Sequence, residues 1–138
     1  LDPMCGTGGL LLEAGLVGAR VVGSDAQQRM VEGTRENLGA FLDGDWHVAR
    51  ADARSLPVDD GVDAVVFDAP YGRQSKIEGD LEDLVADALA EARRVASQAV
   101  GVGDRSWAET AEESGWVVDA TFERRVHRSL TRYIAVIR

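Results

Sequence analysis

The hydrophobic positions of this chain fall into two kinds of segment that alternate along the sequence. Short apolar runs are typical of buried strands and occupy residues 20–24, 46–49, 62–67 and 98–102. Segments with helical spacing of apolar residues, or an apolar stretch ending in glycine, are 8–17, 26–42, 81–95 and 107–114. Strands that alternate with helices indicate an α/β protein whose sheet is mostly parallel.

Two of the predicted helices have a clear apolar face. The face of the first consists of Met30, Val31, Thr34, Leu38 and Phe41. The face of the second consists of Leu81, Leu84, Val85, Ala88, Leu89 and Ala92. We expect these faces to pack against the sheet, with helices covering both sides of it.

The C-terminal residues depart from this alternation. Residues 116–124 and 130–137 are two extended runs joined by a short polar link, which predicts an antiparallel hairpin. Such a hairpin would add one antiparallel strand at the edge of the sheet. The 138 residues correspond to the length of one domain.

Charge and composition narrow the function classes. The net charge is −9, which argues against a domain that holds nucleic acid by its own surface. Cys5 is the single cysteine, so a disulfide framework and a multi-cysteine zinc site are excluded, and His47 and His127 are too few for a metal site. Lys76 is the one lysine beside 14 arginines. This composition fits a GC-rich coding bias or, as we favour, the high-salt cytoplasm of a halophile.

Four polar groups stand where predicted strands end: residues 2–9, Asp25, Asp52 and residues 68–71. The first of them follows a strand that we expect to begin before Leu1. The carboxyl ends of parallel strands share one edge of the sheet, and ligands of open α/β sheets bind there. An aspartate at each of four such ends predicts a ligand site at this edge.

The first polar group contains a glycine loop, Gly6-Thr7-Gly8-Gly9, that opens a predicted helix. Such a loop lets the backbone approach a ligand closely, although a structural turn would use glycines too. Counting from Gly6, Leu11 occupies the third glycine position of the dinucleotide motif and is too large for it. A pyrophosphate cofactor is therefore disfavoured, and a cofactor without phosphate, such as S-adenosylmethionine, needs only close backbone approach.

Asp25 and Asp52 are candidates for contacts with a nucleoside. Asp25 lies 19 residues after Gly6, where a carboxylate can accept hydrogen bonds from ribose hydroxyls. The alternative is an N-cap of the following helix. Asp52 can accept a hydrogen bond from an adenine amino group while the Ala53 N–H meets a ring nitrogen, and the alternative is an ordinary turn. We favour the binding interpretation for both aspartates.

Asp68-Ala69-Pro70-Tyr71 is the most informative group. It follows an apolar strand, where an isolated charge is costly to bury, and Pro70 keeps Ala69 extended. A carboxylate, a backbone carbonyl and an aromatic ring side by side suit an amino group on a flat heterocycle. Outside this context the same residues would indicate an ordinary turn.

These two motifs resemble those of class I S-adenosylmethionine-dependent amino-methyltransferases. Residues 2–9 are similar to the cofactor loop of that group, and residues 68–71 to its (Asp/Asn)-Pro-Pro-(Tyr/Phe) signature. More narrowly, residues 2–18 and 68–75 resemble archaeal tRNA guanosine-10 methyltransferases, which methylate the exocyclic 2-amino group of guanine once or twice. The resemblance implies a Rossmann-like methyltransferase fold and S-adenosylmethionine as the cofactor.

The resemblance also implies roles for individual residues. The catalytic set is Asp68, Ala69, Pro70 and Tyr71. In it, the Asp68 carboxylate and the Ala69 carbonyl accept the amino hydrogens, and Tyr71 stacks on the base. Ala69 replaces the usual first proline, which affects the stiffness of the loop more than the carbonyl. The implied cofactor ligands are Asp2, Gly6, Gly8, Asp25, Asp52 and Ala53. Arg73 and Lys76 would meet the phosphates of the substrate.

Members of this family carry an N-terminal RNA-binding THUMP region. We therefore expect residues 1–138 to be the catalytic domain of a longer protein, with its first strand truncated and the THUMP region absent. tRNA would be held mainly through that region. The resemblance also implies that a small activator protein is a possible second partner. We expect no membrane association and a cytoplasmic location in a halophilic archaeon.

Several alternatives stay open. The same chemistry would serve an rRNA guanine or a DNA adenine, and the chain could be a nucleotide-binding module without catalysis. Cys5 is expected to be a small buried residue instead of a catalytic thiol. The arginines near the hairpin link form either a solvated turn or contacts with RNA phosphate. They are Arg124, Arg125, Arg128 and Arg132.

Overall fold

The computed structural model of this chain describes residues 1–70 and 78–138, without the side chains of residues 78–80. Its helices are α1 (Gly9–Leu16), α2 (Gln28–Phe41), α3 (Glu78–Val95) and α4 (Ala108–Glu113). Its strands are β1 (Val21–Asp25), β2 (Trp46–Arg50), β3 (Val65–Asp68), β4 (Ala99–Gly103), β5 (Val118–His127) and β6 (Leu130–Ile137). The predicted order of helices and strands is confirmed. The boundaries differ most at the start of β3, which is later than predicted, at the start of α3, which is earlier, and at the end of β5, which is later.

The strands form two sheets. In one sheet β1 pairs with β2 in parallel, and the other has the order β3, β4, β6, β5. Strands β3 and β4 are parallel, whereas β6 runs antiparallel to both β4 and β5. The prediction of a mostly parallel sheet with one antiparallel strand from a C-terminal hairpin is confirmed.

The predicted place of the antiparallel strand is wrong. Strand β6 lies between β4 and β5, so that β5 is the edge strand. The physical reason is burial, because Ala135 and Ile137 of β6 are fully buried whereas most of β5 is exposed. The more apolar strand therefore occupies the interior position.

Leu1 and Asp2 connect the two sheets. The Asp2 N–H donates to the Val22 carbonyl and the Ser24 N–H donates to the Asp2 carbonyl, each over 2.9 Å. On the other side the Val66 N–H donates to the Leu1 carbonyl over 2.8 Å. The order across the molecule is thus β2, β1, residues 1–2, β3, β4, β6, β5. The chain changes its direction of winding at residues 1–2, which is the switch point of a doubly wound sheet.

The core has two parts. The smaller part lies around β1, β2, α1 and α2 and consists of Cys5, Leu11, Val21, Val31, Leu38 and Val48. The larger part joins α3 and α4 to β3, β4 and β6. On the predicted face of α3, the buried residues are Leu81, Val85, Ala88, Leu89 and Ala92. Among the described helices, none combines the length and the apolar composition that crossing a membrane requires.

The prediction that Phe41 of α2 packs in the core is wrong. Val31, Thr34 and Leu38 are buried as predicted, but Phe41 is 66% exposed. Phe41 is the last residue of α2 and borders a small hollow at the surface. The last residues of a helix can extend beyond the sheet that the helix covers, so helical spacing alone does not predict their burial.

Two phenylalanine substitutions test this division between core and surface. Phe67 is 1% exposed in the larger part of the core. We expect Phe67→Ala to lower the free energy of unfolding by about 3–5 kcal/mol, because it leaves a cavity. Phe41→Ala should change it by less than about 0.5 kcal/mol. Urea unfolding followed by circular dichroism measures both, and similar losses in the two variants would contradict the assignment.

Candidate functional site

The strand ends border a single large cleft of about 1470 Å³. Of the predicted site residues, those that line it are Asp2, Gly6, Asp25, Asp52, Ala53, Asp68, Ala69 and Pro70. Gly8 belongs to the glycine loop but is not among the residues that line the cleft, and Tyr71, Arg73 and Lys76 lie outside the described residues. The structure therefore brings residues from four separate strand ends to one place, as the pattern of aspartates predicts.

The glycine loop has a backbone that side chains disfavour. Gly6 has a φ of 54° and Gly8 a φ of 88°, both in the left-handed region. A Cβ atom on Gly8 would also lie 2.8 Å from the Thr34 methyl group. Gly8 is thus required for the close packing of the loop on α2, whereas Gly6 faces the cleft.

Two polar side chains of α2 hold this loop, a role that the sequence motifs did not indicate. The Thr34 hydroxyl donates to the Gly6 carbonyl over 2.7 Å, and the Asn37 amide donates to the Thr7 carbonyl over 2.8 Å. Thr34 is fully buried. A threonine within an apolar helical face was the one signal in the sequence, since a buried hydroxyl needs a partner.

Asp25 joins the loop to the start of α2. One carboxylate oxygen accepts the Gly6 N–H over 3.1 Å, and the other accepts the Gln27 N–H over 2.8 Å. The alternative role of Asp25, capping the following helix, is therefore observed in part, because its side chain accepts a hydrogen bond from the turn that precedes α2. Each oxygen has a second lone pair, so contact with a ribose stays a prediction.

Asp52 is bound to a neighbour in its own turn. Arg54 lies 2.7 Å from it in an ion pair, and the Arg54 N–H donates to the same carboxylate over 3.0 Å. These bonds lower the pKa of Asp52. Ala53 is 5% exposed and lies at the cleft beside it. Asp52 therefore forms the ordinary turn that was its alternative interpretation. Its contact with adenine stays a prediction, and in that contact the adenine amino group and Arg54 would both bind the Asp52 carboxylate.

Asp2 is the most buried acid of the cleft, with 2% of its surface exposed. It accepts the Met4 N–H over 3.0 Å. Burial raises the pKa of Asp2 to about 7, because the charged form loses its hydration. A positive charge bound in the cleft would therefore favour the ionised form of Asp2.

Asp68 lies at the end of β3 and forms an ion pair with Arg132 of β6. Burial raises the pKa of Asp68, nearby Asp104 acts in the same direction, and Arg132 opposes them. One carboxylate oxygen of Asp68, Oδ1, is buried and has no hydrogen-bond partner among the described residues. A buried acceptor without a donor is costly, and the residue that carries this one lines the cleft.

Arg132 and Asp104 are site residues that the sequence analysis missed. Arg132 was grouped with the exposed arginines of the hairpin link, yet its side chain is 12% exposed and bound to Asp68. Neither interpretation considered for it, a solvated turn or an RNA contact, describes this position. Asp104 follows β4, so it is a further aspartate at a strand end. That signal was present in the sequence.

Cys5 is a buried residue, as predicted. It is 6% exposed, its sulfur lies 3.6 Å from the Thr34 hydroxyl oxygen, and burial raises the pKa of the thiol to about 11. A thiol with so high a pKa is protonated and a poor nucleophile at neutral pH.

Comparison with known proteins agrees with this geometry. The family described as RMKL-like, methyltransferase domain matches residues 1–134. A tRNA (guanine(10)-N2)-dimethyltransferase of Methanothermobacter thermautotrophicus is 43% identical over 145 residues, which cover 99% of this chain and 42% of that protein. An enzyme of the same name from Pyrococcus abyssi is 34% identical, with 99% of this chain and 44% of that protein covered. The chain thus spans less than half the length of these two relatives.

Solved structures share the fold. TrmN from Thermus thermophilus superposes with a TM-score of 0.77 at 20% identity, over 99% of this chain and 42% of that one. The Pyrococcus abyssi tRNA (uracil-54, C5)-methyltransferase, in complex with S-adenosyl-L-homocysteine, gives a TM-score of 0.67 at 17% identity, over 99% and 33%. The predicted Rossmann-like fold and the resemblance to class I methyltransferases are confirmed. By the match of nearly its whole length, the chain belongs to the family of RMKL-like methyltransferase domains.

Proposed function

We propose that this chain is the catalytic domain of an enzyme that methylates the exocyclic 2-amino group of a guanine in tRNA, at guanosine-10. The observation that carries the proposal is the position of Asp68, which lines the cleft and whose buried Oδ1 atom has no hydrogen-bond donor among the described residues. An amino group is the donor that such an acceptor needs. Relatives that are 43% and 34% identical bear the name of this reaction.

The residues of the cleft fit S-adenosylmethionine. The left-handed Gly6 leaves the backbone open to close approach, and a Cβ built there would meet nothing within 4 Å. Asp2 would attract the ammonium group of the methionine part, Asp25 would accept from the ribose, and Asp52 with Ala53 would hold the adenine. When bound, this cofactor supplies an electrophilic methyl carbon.

Asp68 and Ala69 would prepare the nucleophile. The guanine amino nitrogen shares its lone pair with the ring, so it is a weak nucleophile. Hydrogen bonds from its two N–H groups to Asp68 Oδ1 and to the Ala69 carbonyl would turn the lone pair toward the methyl carbon. As the N–C bond forms and the C–S bond breaks, the nitrogen loses one proton, which Asp68 accepts. Tyr71, outside the described residues, would stack on the base.

The cysteine content of the chain favours this chemistry over methylation of a pyrimidine carbon. That reaction uses a thiolate nucleophile, and the single cysteine of this chain is Cys5, with a pKa raised to about 11. Amino-methylation needs positioned hydrogen-bond acceptors and no covalent intermediate between enzyme and base. The end of β3 would supply such acceptors.

The hairpin supports an RNA substrate. Residues 118–138 carry five arginines and two acidic side chains, whereas the rest of the chain carries 22 acidic and ten basic side chains. Arg124, Arg125 and Arg128 are exposed, and Phe122 beside them is 57% exposed. Of the two interpretations of these three arginines we favour contact with RNA phosphate. Arg73 and Lys76 would extend this contact.

The remaining parts of the proposal concern the whole protein. An RNA-binding region elsewhere in the natural protein would supply most of the grip on tRNA, since this domain is strongly acidic. We propose a cytoplasmic, salt-adapted enzyme, and a small activator protein as its optional partner.

The first prediction concerns Asp68. In the natural protein that contains this chain, Asp68→Ala should lower tRNA methylation by about 10²–10⁴-fold, the usual contribution of a positioned proton acceptor, while S-adenosylmethionine still binds. Mass spectrometry of nucleosides from treated tRNA measures the product. Asp59→Ala, an exposed aspartate remote from the cleft, is the matched control. Undiminished methylguanosine with Asp68→Ala would refute the catalytic role.

The second prediction concerns the pH dependence of cofactor binding. Because the pKa of Asp2 is raised to about 7, the carboxylate becomes ionised as the pH rises through this value and then attracts the ammonium group. We expect affinity for S-adenosylmethionine to increase about tenfold between about pH 6 and pH 8, in step with the ionised fraction. Calorimetry should show that Asp2→Asn binds more weakly and loses this increase, whereas exposed Asp43→Asn keeps it. An increase retained in Asp2→Asn would assign the titration to another group.

The third prediction concerns RNA contact. Replacing Arg124, Arg125 and Arg128 together by glutamine should weaken tRNA binding and reduce the slope of log Kd against log salt by about 2, the sum expected for three phosphate contacts. Arg20→Gln, an exposed arginine before β1, should leave the slope unchanged. Equal slopes for the triple variant and the unmodified protein would favour the solvated-turn interpretation.

A further inference from the structure

We infer that Arg132 is a positioning residue for Asp68: it binds the Oδ2 atom of the carboxylate and so presents the Oδ1 atom to the amino group of the substrate. This inference rests on the proposed function and adds a residue to its mechanism. Arg132 itself is not required to touch the substrate.

The topology places Arg132 at the site. Strand β6 runs antiparallel to β4, so the start of β6 lies at the same edge of the sheet as the ends of β3 and β4. Asp68 pairs with Val102, and Val102 pairs with Ile134, two residues after Arg132. A long side chain at position 132 therefore reaches past the end of β4 to Asp68, where the ion pair forms.

The two oxygens of Asp68 have different surroundings. Oδ2 is bound by Arg132, while Oδ1 is buried and has no partner within the described part of the chain. Because the carboxylate is planar, fixing one oxygen on an arginine restricts where the other points. The free oxygen belongs to a residue that lines the cleft. The acceptor is thus oriented before the substrate arrives, as efficient catalysis requires.

Within the hairpin, the interactions of Arg132 are unfavourable. Arg124 of β5 lies directly opposite Arg132 in the register of the two strands. Like charges directly opposite each other destabilise a sheet, and Arg132 is also largely withdrawn from water, with a side chain 12% exposed. Its benefit must come from outside the hairpin, and Asp68 is one partner that it contacts there.

The charges around Asp68 make the effect of Arg132 measurable. The described charged groups that act on Asp68 or share its cleft are Asp2, Asp104 and Arg132, with Arg29, Arg54, Asp25, Asp52, Asp83 and Asp87 farther along the cleft. Burial and Asp104 raise the pKa of Asp68, and Arg132 lowers it. Removal of Arg132 therefore leaves the raising effects unopposed, so that Asp68 stays protonated to higher pH and cannot accept a proton.

The test compares pH profiles of kcat in the natural protein with tRNA and S-adenosylmethionine at saturation. With Arg132→Met, we expect the acidic limb of the profile to move up by at least one pH unit, with kcat at neutral pH at least tenfold lower and partly recovered at pH 9. Arg132→Lys keeps the charge, so its acidic limb should stay near that of the unmodified protein while kcat falls severalfold, since a flexible ammonium replaces the planar guanidinium that orients Oδ2.

Two further variants make the result decisive. Arg138→Met removes another arginine of the same hairpin, which pairs with Asp119 over 2.7 Å, and its profile should match that of the unmodified protein. Arg132→Gln replaces Arg132→Met if the latter does not fold, with the same shift expected. An unmoved acidic limb in a folded Arg132 variant would reduce Arg132 to a structural role and overturn the inference. Full activity of Asp68→Ala would instead overturn the proposed function, so the two failures are distinguishable.

Discussion

Backbone hydrogen bonds from Leu1 and Asp2 to strands on both sides join the two sheets, and the site depends on this junction. Strands β1 and β2 lie on one side of it and the other four strands on the other side. Connections run in opposite directions from such a point, which leaves a crevice at the strand ends. The cleft opens there, and residues of the glycine loop that follows Asp2 line it.

The cleft is lined by several aspartates, and four of them have different surroundings. Asp52 pairs with Arg54, Asp25 accepts two backbone N–H groups, Asp2 is buried with a raised pKa, and Asp68 pairs with Arg132. Such a lining would repel a phosphate-bearing ligand and suits one that carries positive charge. This electrostatic character agrees with the departure from the dinucleotide motif at Leu11 and supports the proposed cofactor.

Sequence patterns identified the four strand-end aspartates that line the cleft, because each of these signals is local. Each aspartate follows an apolar run, and the rule that parallel strands end at one edge converts four local signals into one place. Thr34, Asn37 and Arg132 escaped this reasoning because their partners lie 28, 30 and 64 residues away in the chain. Phe41 failed for a related reason, since helical periodicity does not show where the sheet beneath a helix ends.

The sequence by itself determined the order of helices and strands, the mostly parallel sheet and the aspartates of the cleft, because hydrophobic periodicity and strand-end chemistry are properties of neighbouring residues. Only the tertiary structure decided that β6, not β5, pairs with β4. That choice depends on which strand buries more apolar surface against α3 and α4, a sum over distant contacts. It brings Arg132 to Asp68 and gives the two oxygens of one carboxylate different surroundings.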